Sequence, residues 1–72
     1  MNHHEQTVLK EIQKRKSLLL DPPTYAVLKK ATGLVNESAI AYILTKFENN
    51  GLIERIGKGA RNIQITDKGM AA

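Results

Sequence analysis

The chain has 72 residues, which allows one small domain with a thin core and no more. It contains no cysteine, so neither a disulfide framework nor a thiolate metal site can supplement that core, and its 42% hydrophobic content excludes a disordered tail. Eleven Lys or Arg against seven Asp or Glu give a formal net charge of +4, a bias toward nucleic acid or another polyanion.

The opening "MNHHEQTV" has neither the charged nor the apolar region of a signal peptide, and no apolar run is long enough to span a bilayer. A cytoplasmic protein without a membrane partner is the expectation. Residues 1–4 and 70–72 read as frayed ends of a single domain, and no linker or repeat divides the chain.

The first helix is predicted from Glu5 to Lys16. Val8, Leu9 and Ile12 fall on one stripe, and Glu5 near the start and Arg15-Lys16 near the end suit the helix dipole. Leu18, Leu19 and Leu20 follow, either extending the helix or leading into an extended piece. Pro22 moves Asp21 out of the helical region, so any helix has ended there. If these leucines are not all needed inside, the surplus forms an exposed apolar patch, and with Val8 and Leu9 it is the candidate interface for a homodimer or partner protein.

A second helix opens at "PPT", with Thr24 as N-cap and Val27 where a capping box would need Glu or Gln. Leu28 and Ala31 are expected to face inward, and Gly33 to stop the helix in a left-handed conformation. The third helix begins after Asn36 as N-cap and carries Ile40, Ile43, Leu44 and Phe47 on its buried face. Gly51 closes it, "NNG" being read as a cap because it ends an unbroken helical stripe. The period then changes. "LIERI" and "NIQIT" read as two strands around the turn "GKGAR", and "DKGMAA" as a frayed end. The fold class is therefore α+β, three helices followed by a C-terminal two-stranded β-hairpin.

Two helices joined by "TGLVN" have the spacing of a helix-turn-helix, although a plain helical hairpin in a small core has it too. The hairpin that follows favours the first reading, because three helices and then a two-stranded wing is a specific order.

The stretch "DPPTYAVLKKATGLVNESAIAYILTKFENNGLIER" resembles the winged helix-turn-helix domains of bacterial and archaeal regulators, with a LexA-like layout. The resemblance is carried by "PPT" at the second helix, by its ungapped distance to "GLI" at residues 51–53, and by "TGL" at the turn. "ITDKG" at residues 65–69 is similar to a motif of MarR-like and IclR-like regulators, and residues 8–69 are covered in all. Two positions depart from the family pattern. Lys29, four before the turn glycine, stands where alanine is usual, and Glu37 puts a carboxylate at the exposed start of the third helix. Such a carboxylate repels phosphate unless it accepts from a cytosine amino group.

The resemblance implies that the third helix, about residues 37–50, lies in the major groove of double-stranded DNA. Its outward face would be Ser38, Ala41, Tyr42 and Thr45, with Lys46 as the one cation. Ser38 and Thr45 can hydrogen-bond base edges, Ala41 can pack on a thymine methyl, and the Tyr42 hydroxyl can reach a phosphate. No arginine is available to grip guanine in two places, so modest sequence specificity is expected. Phosphate contacts would come from Thr24, Lys46, Arg55, Lys58 and Arg61, the last three on a wing over residues 55–61. The expected role is a transcriptional regulator, with a protein–protein adaptor in a transcription or replication complex as the alternative. A third reading is an architectural protein that binds DNA without sequence preference.

Other chemistry finds little support. "GKGA" lacks the four residues between glycines and the strand–helix setting of a P-loop. His3 and His4 are adjacent and do not converge on a metal. With no cysteine and both histidines near the start, no nucleophile–base arrangement is formed, so no enzyme, cofactor, metal or small-molecule substrate is expected.

Overall fold

The computed structural model describes residues 1–56 and 63–72. Its order is α1 (His3–Ser17), α2 (Tyr25–Thr32), α3 (Glu37–Asn49), β1 (Ile53–Arg55), β2 (Ile63–Ile65) and α4 (Asp67–Ala71). Three helices and a two-stranded antiparallel hairpin follow one another as predicted, and a short fourth helix is added. Among the described residues, no helix is long and apolar enough to cross a membrane.

α1 starts two residues earlier than predicted because Asn2 caps it. The Asn2 side chain accepts from the Glu5 amide at 2.8 Å, which fixes the first turn and draws His3 and His4 into the helix. Residues 3 and 4, expected in a frayed tail, thus stand in the first turn of α1. Glu5, Val8, Leu9 and Ile12 form the buried stripe, so Val8 and Leu9 are core residues and cannot serve as an interface.

The leucines after α1 neither extend it nor run straight on. The Leu19 amide donates to the Lys16 carbonyl and the Leu20 amide to the Arg15 carbonyl, and Leu19 takes φ 57° between them. This is the double-bonded helix stop that normally uses glycine at its left-handed position. All three leucines stay exposed.

α2 is capped by Thr24, whose hydroxyl oxygen accepts from the Val27 amide at 3.2 Å, and it ends at Gly33 with φ 79°. Leu28 is fully buried, whereas Ala31, expected inside, is exposed. Leu28 is the one buried residue of the eight in α2, and partly buried Tyr25 packs against the same core. α3 is capped by Asn36 onto the Ser38 amide and is closed by Gly51 at φ 75°, with the Leu52 amide donating to the Phe47 carbonyl. The reading of "NNG" as a cap holds.

β1 and β2 pair with Ile53 opposite Ile65 and Arg55 opposite Ile63. Ile53, Ile63 and Ile65 turn inward while Glu54 and Gln64 turn out, the alternation expected of a half-buried ladder. These isoleucines complete one core with the α1 stripe, Leu28, Leu52 and the four apolar residues of α3.

The C-terminal residues form a capped helix. The Thr66 hydroxyl oxygen accepts from the Gly69 amide, and the hydroxyl lies 2.6 Å from the Gly51 carbonyl and 3.0 Å from that of Leu52. From α1, the Gln13 amide group donates to the carbonyls of Gly69 and Ala72. A threonine cap and one long polar side chain thus fasten five helical residues to α1 and to the segment after α3.

Candidate nucleic-acid interface

The outward face of α3 comes first. Ile40, Ile43, Leu44 and Phe47 take one side of the helix, so 100° per residue places Ser38, Ala41, Tyr42 and Thr45 on the other. Ser38, Tyr42 and Thr45 are exposed and Ala41 is half-buried. Tyr42, at 71% exposure, is the most prominent large side chain there. The structure therefore brings the four predicted base-contact residues onto one accessible surface.

The predicted cation of that face has another task. The Lys46 ammonium lies 3.0 Å from Oε1 of Glu5, a carboxylate buried in α1. A buried carboxylate is costly unless paired, so Lys46 is held as its counter-charge. The Lys46 side chain keeps 47% of its surface exposed, so a phosphate contact by Lys46 would compete with this pair. Nothing in the spacing of the two residues, 41 positions apart, signals this pair.

The two departures from the pattern that the sequence resembles meet each other. Lys29 on α2 is half-buried, and its ammonium reaches Oε1 of Glu37 at 3.6 Å across the turn. The lysine stem is partly covered while the charge reaches the start of α3. The carboxylate that would repel phosphate is thereby partly neutralised, though it remains exposed and screened by solvent.

The predicted phosphate contacts divide. Thr24 is half-buried, with its hydroxyl oxygen engaged as the α2 cap. Arg55, half-buried on β1, donates through a terminal nitrogen to the Tyr25 hydroxyl at 3.1 Å. Its Nε is buried, with no hydrogen-bond partner among the described residues. The hairpin base and the N-terminus of α2 are thus joined by one side-chain bond. Tyr25 was missed in the sequence, where its position directly after the Thr24 cap was the available signal. The predicted turn "GKGAR", with Lys58 and Arg61, lies outside the described residues.

The surface beyond α3 carries further positive charge. Lys10, Lys14, Lys16 and Lys30 are exposed, and among the described residues none of them has an acidic partner within 4.0 Å. Arg15 is paired with Glu11 one turn away. No protein-family model matches this chain, and no curated protein matches it either.

Proposed function

We propose that the chain binds double-stranded DNA as a winged helix-turn-helix domain and acts as a transcriptional regulator in the cytoplasm, on the nucleoid. α3 would enter the major groove, and the hairpin would follow the phosphate backbone. The observation that carries this reading is the surface of α3. Its accessible face is Ser38, Ala41, Tyr42 and Thr45, small polar and aromatic groups suited to base edges, and its one leading carboxylate is paired with Lys29.

Phosphate contacts fall to Arg55, Lys58 and Arg61, with the capped N-terminus of α2 beside Tyr25 as a further anchor. About four such contacts give a log–log salt slope of about −3 to −4. Titration against random and selected duplexes at low and moderate salt tests the reading, with preference for some duplexes expected. Absence of binding at low salt would exclude DNA as the partner. Equal binding to every sequence would replace the regulator by an architectural role.

One observation supports the adaptor alternative. With Lys46 engaged by Glu5, the described outward face of α3 has no unpaired cation, and Tyr42 beside Ala41 makes a neutral contact surface. NMR shift mapping with duplex DNA separates the two. Perturbations over residues 36–46 and 55–61 support the DNA reading, and a silent spectrum supports the adaptor.

A further inference from the structure

Leu19 bears two costs at once. Its φ of 57° lies in the left-handed region that L side chains avoid, and its side chain is 90% exposed. Glycine would satisfy the same helix stop without either cost. A strained, fully presented leucine indicates a surface kept for contact rather than for folding.

A cavity of about 430 Å³ opens beside it, between the end of α1 and the hairpin. Ile12, Leu20, Ile56, Ile63 and Ile65 line it, as do Arg15 and Lys16. Two of these lining residues adjoin Leu19 directly: Leu20 follows it in the chain, and the Lys16 carbonyl accepts from its amide. Knob and hole therefore stand side by side on one copy. Charge follows the same plan, with Lys16 on the hole and Asp21 two residues beyond the knob. Among the described residues neither has an ion-pair partner.

We propose that this surface is a self-complementary dimer contact, in which Leu19 of each copy enters the cavity of the other and Asp21 of each copy meets the other's Lys16. Adjacent knob and hole are what a two-fold axis between them requires, since one patch must serve both sides. Leu18 and Ile56, both exposed, add apolar area around the contact. The patch is small, so the dimer is weak in solution, forming at about 0.1–1 mM. The contact does not depend on the DNA reading and can exist without it.

Sedimentation of the full chain without DNA, up to about 1 mM, tests the proposal. A monomer–dimer equilibrium is expected. Leu19→Gly should raise the dimer dissociation constant by about tenfold or more while leaving the melting temperature unchanged or higher, because glycine relieves the backbone. Lys16→Glu and Asp21→Lys should each weaken the dimer, and their combination should restore it. A wild-type chain that stays monomeric throughout, or a Leu19→Gly variant that dimerises as well as wild type, overturns the proposal. A double charge swap no better than either single change overturns the pairing.

Discussion

Gly69 shows how a single missing methyl group fixes the end of the chain. It is buried in α4, and a Cβ there would run into the Leu52 carbonyl oxygen and close on Ile65 Cγ1 at 2.6 Å. A carbonyl cannot rotate aside as a flexible side chain can. Gly→Ala inside an exposed helix gains about 1 kcal/mol, but overpacking of this kind costs about 1–3 kcal/mol or more, so Gly69→Ala should destabilise. Urea denaturation should show a lower midpoint with an unchanged slope. Glu5 behaves in the opposite way, as a polar group that the fold tolerates only with its partner. Lys46→Met leaves that buried carboxylate without a counter-charge and should cost about 1–2 kcal/mol, less than a fully buried pair because the lysine is half in solvent. Adding Glu5→Gln to Lys46→Met should recover most of the loss, which a double-mutant cycle measures.

Contacts between elements decide how the candidate interface is presented. The Lys29–Glu37 pair bridges α2 and α3 across the Gly33–Asn36 turn. Being exposed, it should contribute only about 0.2–1 kcal/mol to stability. Its larger effect should be on binding, because Lys29→Ala frees the Glu37 carboxylate beside the start of α3. If that helix meets DNA, Lys29→Ala should weaken binding, and Glu37→Gln in the same background should restore it. At the other side of the fold, Tyr25→Phe removes the acceptor that holds Arg55. We expect weaker binding to all duplexes alike, as follows from loss of a phosphate contact, with little change in sequence preference. Tyr42→Ala should instead alter preference among duplexes. Competition binding on a duplex library distinguishes these outcomes.

For the whole molecule, affinity should be governed by charge. Lys58→Ala with Arg61→Ala should weaken binding to every sequence and reduce the magnitude of the salt slope by about 2. If the double variant binds as well as wild type, the hairpin does not touch DNA. A lone domain of this size binds DNA weakly, so two copies on paired half-sites would be the means to tight binding. A contact through Leu19 would place α3 of each copy at a fixed separation, and Leu19→Gly should then lower cooperativity on paired sites without altering affinity for a single one.

Local chemistry made much of this molecule legible before any coordinates. Thr24, Asn36, Gly33 and Gly51 each mark a helix end through bonds to residues only two to five positions away, so their effect is written along the chain. The apolar spacing of α3 and the alternation of Ile63 and Ile65 likewise specify which face is buried. The Asn2 and Thr66 caps are equally local, and each starts a helix close to a chain end, where fraying is the ordinary expectation. What sequence could not supply depends on distance in space. Whether Lys46 neutralises Glu5, whether Lys29 and Glu37 offset each other, and whether Tyr25 holds Arg55 are decided by how the elements pack. The sequence alone determined the first three helices, the hairpin, their order and most of their buried faces, because short-range hydrogen bonds and periodicity suffice for that. Only the tertiary structure decided which charges and apolar groups remain available to a partner, because each is consumed or released by a residue remote in the chain.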